Sequence, residues 1–506
     1  MDIKKVAILG GGTAGWLTAN HLGKALIGQG ISITVIESPD IPTIGVGEGT
    51  VPMMRETLKY FGISESQFIK ECDATFKQSI KFVNWLDKTA HGEGNFYHHL
   101  FDFPFPNNRD LTPFWLRTQH KSFAQTVSFQ ANVCEAKKAP KKISTPEYVG
   151  ETTYAYHLNA KKFAELLQNH AVNKFSVAHQ VSTVIDATVN NTDIELIVTD
   201  THGEQVFDFY VDCSGFNCYL LGKKLNIPFV DMSHKLPIDK AITAQIPTED
   251  DAEIPPYTIA TAHEAGWIWD IALKNRRGTG FVYSSNYLSD EEAKQKFERY
   301  LGQSLEGIVS RVIPMKIGYR EQFWQGNCVA IGLSQGFVEP LEATAILVTD
   351  FCARHLAERF PRSKSELPAC QSRFNRNVKY AWDRVIDFIQ LHYYLSDRQD
   401  SAFWLDWKNV DRLSDELKQK LAIWQNNPPL STDFFSKFEV FDVENYLYVL
   451  YGMHYLTKPS YIDAKSFEQD QILAQQVEDH SQKLIASLPS HRELIDKLAR
   501  FDFSKL

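Results

Sequence analysis

An α/β fold built on a Rossmann-type βαβ core is predicted by three features at the start of the chain. Val6-Ala-Ile-Leu9 is an apolar run of strand length, Gly10-Gly-Gly-Thr-Ala-Gly15-Trp16 is a glycine turn opening a helical pattern, and Ile33-Thr-Val-Ile-Glu37 is a second apolar run ending in an acid. Glycines 10, 12 and 15 follow the G-x-G-x-x-G spacing, which permits a tight turn, close approach of the backbone to a pyrophosphate and close packing of helix on strand. The helix that starts at this turn points its free N–H groups and positive dipole end at the phosphates. Glu37 follows about 20 residues on, where an acidic group accepts a hydrogen bond from an adenosine ribose. These residues predict a dinucleotide site, and the motif alone leaves FAD and NAD open.

At 506 residues the chain can bury a large core and hold about two or three structural units. A net charge of −9 and the absence of a sustained basic stripe exclude nucleic acid as the main partner. Lys137-Lys138 and Lys141-Lys142 flank a proline and read as a solvated loop. The seven cysteines are scattered without a Cys-x-x-Cys pair, so neither a disulfide framework nor a metal site is expected, and a reducing cytoplasm fits. Lys4-Lys5 before an apolar run imitates a signal peptide, but that run belongs to the βαβ unit. No apolar stretch is long enough to cross a bilayer, so a soluble, unprocessed protein away from membranes is expected.

Gly45-Val-Gly47-Glu48-Gly49-Thr50 lets backbone pass close to a ligand. Helical patterns follow through Met54, Leu58 and Phe61 and through Phe68, Ile69 and Cys72, and Ile80–Trp85 reads as a strand. Lys77 precedes that strand at an element boundary and by itself reads as a surface lysine. Residues 86–145 are aromatic and broken by prolines, an insertion or lid in the substrate region. Within it His98 and His99 are adjacent, point in different directions and make a poor metal pair. A helix is predicted over 160–171 and strands over 177–184, 194–199 and 206–211, the last closing in Asp212-Cys-Ser-Gly215. Residues 226–320 are a mixed, strand-rich section in which Trp267, Trp269 and Ile271 alternate on one face, by themselves a core stripe. Cys328–Ile331 runs through Gly332-Leu333 to Thr344 and an apolar helix, a second strand, turn and helix start suited to an anion. Beyond about residue 370 the pattern is helical.

Five separated blocks, taken together and in order, resemble the flavin-dependent tryptophan halogenases. They are Gly-Gly-Gly-Thr-Ala-Gly-Trp at 10–16, Ala-Thr-Phe-Lys at 74–77, Asp-Cys-Ser-Gly-Phe at 212–216, Trp-Ile-Trp-Asp-Ile at 267–271 and Gly-Phe-Val-Glu-Pro-Leu-Glu-Ala-Thr at 336–344. The resemblance continues through Asp387–Tyr393 and Tyr448–Met453, nearly the whole chain. It implies a glutathione-reductase-like FAD-binding module over 1–386, interleaved with substrate-region insertions at about 86–145 and 226–320, and a mainly helical region over 387–506 that completes the substrate pocket. The ligand is then FAD, bound reduced, supplied by a separate flavin reductase and held by Gly10, Gly12, Thr13, Ala14, Gly15, Glu37, Gly47, Val181, Gly332, Leu333 and Ile346. With oxygen and chloride or bromide it yields hypohalous acid, which travels through a tunnel to Lys77.

Lys77 then hydrogen-bonds the acid or forms a haloamine, and burial would lower its pKa toward the neutral amine the second route needs. Glu342 matches the family glutamate beside that lysine, where a carboxylate stabilises positive charge on the ring. Thr344 and Ala345 match the backbone halide site at a helix start, and Trp267 and Trp269 match the block that keeps substrate from the flavin. His98, Phe101, Tyr446 and Tyr455 fall where the substrate pocket, for tryptophan or another indole-like aromatic, is expected. A homodimer is expected at the level of the family. Three positions depart from the pattern: Ala272 for a usual proline, Ala343 for a serine and Ala345 for a glycine, pointing to a divergent branch whose substrate need not be tryptophan. An aromatic hydroxylase of the same fold is the nearest alternative, disfavoured by Gly332-Leu333 where such enzymes carry Gly-Asp. A flavin-binding homologue without halogenation is disfavoured by the presence of both Lys77 and Glu342.

Overall fold

The computed structural model describes residues 2–41 and 47–504; Gly45 of the glycine-rich stretch lies outside the described residues. The βαβ unit forms as β1 (Lys5–Leu9), α1 (Thr13–Leu26) and β2 (Ser32–Glu37). These strands sit in a six-stranded sheet ordered Trp324–Gln325, Cys328–Ala330, Phe209–Asp212, β1, β2, Ala178–Val181, parallel throughout except for the Trp324–Gln325 edge hairpin. A parallel sheet is covered on both faces, so successive residues of β1 are apolar without alternation, and Val6, Ala7 and Ile8 are all buried. Helix α1 packs against the helices Ala160–Phe175 and Thr344–Glu358. Two glycines set the turn between β1 and α1. Gly10 has φ +113°, and a side chain there would strike the Cys213 carbonyl; a side chain at Gly15 would strike the Gly10 carbonyl.

The strand expected over 177–184 is two strands, Ala178–Val181 in the parallel sheet and Val184–Asn190 in a separate antiparallel sheet. Ser182 makes the break, its N–H donating to the Glu37 carbonyl and its hydroxyl to Asp200, so the chain leaves one sheet for the other. A seven-stranded sheet, ordered Ser310–Pro314, Lys240–Pro247, Arg276–Tyr283, Gly266–Ala272, Tyr257–His263, Ser79–Val83, Phe96–Leu100, gathers the strand-rich section and part of the aromatic insertion. Within it only Tyr257–His263 and Ser79–Val83 run parallel. The rest of the insertion is short helices, Thr112–Thr118, Phe123–Val127 and Gln130–Glu135.

A further small sheet joins Glu48–Gly49, Ala155–Leu158 and Thr75–Lys77. Lys77 is the last residue of its strand, just before Ser79–Val83, so it lies at an element boundary as expected, but it is buried rather than on the surface. Helices Leu367–Leu395, Val443–Gly452, Ala464–Ser487 and His491–Leu498 dominate the C-terminal part. The boundary expected at 386 falls inside the 29-residue helix Leu367–Leu395, so no chain break separates the two parts there. Among the described residues no helix is long and apolar enough to cross a membrane, and all seven cysteines are free thiols.

Candidate active site

A cavity of about 520 Å³ opens at the carboxyl ends of β1 and β2, where ligands sit in open α/β sheets. Its walls include Gly10, Gly12, Thr13, Ala14, Glu37, Gly47, Gly332, Leu333 and Ile346, and also Lys77, Trp269, Thr344 and Ala345. One space thus connects the glycine turn to the lysine strand. Open space faces Gly12 where a side chain would stand, at the head of a helix with no side-chain cap, which fits a phosphate bound by backbone N–H groups. Glu37, at the end of β2, is held by a 2.9 Å contact from His179 Nε2. The donor set fits a dinucleotide such as FAD. Two residues of the expected set stand apart from the cavity wall: Gly15 packs under the turn, and Val181 is exposed, its successors Ser182 and Thr183 lining the cavity instead.

The helix Thr344–Glu358 also presents an uncapped start to this cavity. Ser64, Asn159 and Ser289 cap other helices through their side chains, whereas here Ala343 sits at the N-cap with φ 55° and no side-chain acceptor. The first N–H groups beyond it are those of Thr344 and Ala345, and the positive end of the helix suits a small anion.

Lys77 has no solvent exposure. Its Nζ donates to the Thr50 carbonyl at 3.1 Å and lies 5.2 Å from the centre of the Phe101 ring. Thr50 is itself locked to the neighbouring strand: its N–H and hydroxyl donate to the Tyr156 carbonyl and its hydroxyl oxygen accepts from the Tyr156 N–H, so the carbonyl offered to Lys77 is fixed. Burial pushes the Lys77 ammonium down to about 8, with the Glu342 carboxylate opposing the shift. Strand Thr75–Lys77 is pinned from the far side by His491, whose Nε2 accepts from the Phe76 N–H while Nδ1 donates to the Ile254 carbonyl.

Glu342 makes its contacts with histidines rather than with Lys77. His99 Nδ1 lies 3.0 Å from both carboxylate oxygens, and His392 Nε2 lies 3.0 Å from Oε1. All three side chains are buried. Burial would raise the Glu342 carboxyl, but the two histidines more than offset it and hold it down to about 2. His98, the residue expected at the substrate pocket, points the other way, bonded to Ser79 and Glu135. Strand alternation is the reason: His99 shares parity with Phe101, and His98 does not.

Trp267 and Trp269 lie on the same strand, Gly266–Ala272. Trp269 lines the cavity, while the Trp267 indole donates to Glu339 Oε1 at 3.0 Å, an oxygen that also accepts from Tyr393. Burial pushes Glu339 up to about 7 against those two donors. Tyr446 packs on Phe388, Trp424 and Phe434, and the half-buried Tyr455 donates to the Leu421 carbonyl, so their contacts lie with the helical part rather than with Lys77. Sequence reasoning missed His99, His392 and Glu339. The parity of His99 with Phe101 was the available signal for the first; the other two are brought in by tertiary packing.

The tryptophan halogenase family pattern matches residues 5–467. The 7-chloro-L-tryptophan 6-halogenase KtzR of Kutzneria sp. is 34% identical, covering 98% of this chain and 100% of its own length. The tryptophan 7-halogenase RebH of Lentzea aerocolonigenes is also 34% identical, over 97% of this chain and 98% of its own. A crystal structure of a tryptophan halogenase from Shewanella frigidimarina superposes with a TM-score of 0.96 at 37% identity, covering 100% of this chain and 99% of that one.

Proposed function

Because this chain belongs to the tryptophan halogenase family, we propose that it halogenates tryptophan or another indole-like aromatic, with Lys77 as the residue that presents the halogen. The observation that carries this reading is the single cavity whose walls include both the glycine turn and a buried lysine. Reduced FAD, when bound there, supplies with oxygen and chloride or bromide the hypohalous acid; a separate flavin reductase delivers the cofactor. Gly10, Gly12, Thr13 and Ala14 hold the pyrophosphate through backbone N–H groups, Glu37 takes the ribose, and Gly47, Gly332, Leu333 and Ile346 lie along the rest of the cofactor.

Thr344 and Ala345 hold halide at the uncapped helix start. Trp269 forms the cavity wall toward the substrate, and Trp267, fixed by Glu339, backs it. Lys77 then donates to the hypohalous oxygen as an ammonium, or takes the halogen as a neutral amine; a pKa of about 8 makes both forms accessible near neutral pH. Glu342 places negative charge near the ring as it becomes cationic. The Phe101 ring lies beside Lys77, and His99 beside Glu342. The relatives include both 6- and 7-halogenases, so the position attacked depends on how the ring is posed relative to Lys77 rather than on the lysine itself. Ring hydroxylation finds no support in the relatives described, which are halogenases.

The test supplies the protein with a flavin reductase, FAD, NADH, oxygen and chloride or bromide, and screens tryptophan, free indole and substituted indoles by mass spectrometry. Halogen isotope patterns are expected on at least one indole. A product gaining one oxygen, or no product from any aromatic, would overturn the reading.

A further inference from the structure

The Glu37 carboxylate is fixed from two sides. It lies on the backbone of Gly11, where an added side chain would come within 2.1 Å of Cδ and 2.2 Å of Oε2. His179 Nε2 donates to that same Oε2 at 2.9 Å. Among the described residues Oε1 has no hydrogen-bond partner, and Glu37 lines the cavity. One oxygen is thus committed to the protein, while the other keeps its full capacity as an acceptor.

Sheet register brings the histidine there. Ala178–Val181 runs parallel to β2 with Val35 opposite His179 and Glu37 opposite Val181. Residues 35 and 37 share a face of β2, so their partners share one too. Val181, directly across from Glu37, has no polar side-chain atom, and the donor comes from His179, one step back on that face. The ring is held in turn by Gln168, from the helix Ala160–Phe175, whose Nε2 meets His179 Nδ1 at 2.9 Å. Trp16, next to Gly15 of the glycine turn, packs edge to face on it with 5.1 Å between ring centres. A glutamate has three side-chain torsions to order, and holding one oxygen in advance removes that cost from ligand binding.

We propose that His179 is a positioning residue for the cofactor: acting through Glu37, it makes the site select a flavin whose adenosine carries a ribose 2′-hydroxyl. The inference rests on the assignment of Glu37 to the ribose given above and deepens it. With Oε2 engaged by His179, Oε1 accepts from the hydroxyl. Without the histidine the carboxylate, whose side chain is 30% exposed, is free to turn to water, and the hydroxyl loses a fixed acceptor. Gln168 and Trp16 hold the ring that holds the acid, so the preference for the adenosine end is built by residues that need not touch the ligand.

The test titrates the full chain with oxidised FAD and with the FAD analogue whose adenosine is 2′-deoxy, following flavin fluorescence. The native protein is expected to bind FAD about tenfold more tightly than the analogue. His179→Phe keeps a ring against Trp16 but has no donor, and the ratio is expected to fall to about twofold, through weaker binding of FAD. His179→Gln, which retains a nitrogen donor, should restore most of the ratio. On a Glu37→Ala background His179→Phe should change neither affinity. A histidine that only supports the fold would weaken both flavins alike and leave the ratio as it was, which would overturn the proposal. So would a native protein that binds both flavins equally, with the FAD site itself still standing. Failure to bind FAD at all would overturn the cofactor reading and the proposal with it.

Discussion

Burying Lys77 leaves an ammonium with a backbone carbonyl as its hydrogen-bond acceptor, and this has a measurable consequence. Its folded pKa of about 8 lies below the ordinary 10.5, so between those values the unfolded chain holds a proton that the folded chain has lost. Through this group stability rises as pH rises from 8 to 10.5, and at pH 7 the buried charge costs about 3 kcal/mol. Lys77→Met should therefore unfold at higher urea at pH 7, by about 1 to 3 kcal/mol once the lost hydrogen bond is counted. The advantage should fade toward pH 10.5, and a destabilised variant at pH 7 would contradict it. None of this was legible locally: Thr75-Phe-Lys77 has no feature separating it from an exposed strand end, and its burial depends on partners far along the chain. His99 shows the same limit in milder form, since alternation says that adjacent histidines face apart and only the register says which one faces Glu342.

Among the elements, strand Thr75–Lys77 depends on the helix His491–Leu498, because its Phe76 N–H has no strand partner and is met by a histidine. That histidine serves as acceptor only while neutral, and burial pushes it down to about 3 from the ordinary 6.5. As pH falls below 6.5 the unfolded chain takes up this proton first, so stability is lost progressively between 6.5 and 3, by up to about 5 kcal/mol. His491→Leu should cost about 1 to 3 kcal/mol at pH 7, from the orphaned N–H, and lose less than the native protein on acidification. Unfolding followed from pH 7 to pH 4 checks this; parallel curves would count against it. The βαβ unit, by contrast, was readable in full because its glycines, apolar runs and terminal acid are all local signals. The strand expected over 177–184 was not, since what divides it is the Ser182 hydroxyl reaching Asp200.

At the scale of the molecule, the parallel sheet supplies the cofactor end of the cavity, the small sheet of Glu48–Gly49, Ala155–Leu158 and Thr75–Lys77 supplies Lys77, and the long helix Leu367–Leu395 brings His392 to Glu342. The general α/β architecture and the helical C-terminal part follow from periodicity in the sequence, but the meeting of residues 99, 342 and 392 is a property of packing between units. On this account oxidant is made in one part of a shared cavity and used in another, with Lys77 between them. The most direct test compares the native protein with Lys77→Ala under reductase-driven turnover, measuring bound FAD, halogenated indole and hypohalous acid captured by an added trap. The variant should bind FAD as the native protein does, form no halogenated indole and release the acid to the trap. Halogenation by Lys77→Ala at the native rate would contradict the account.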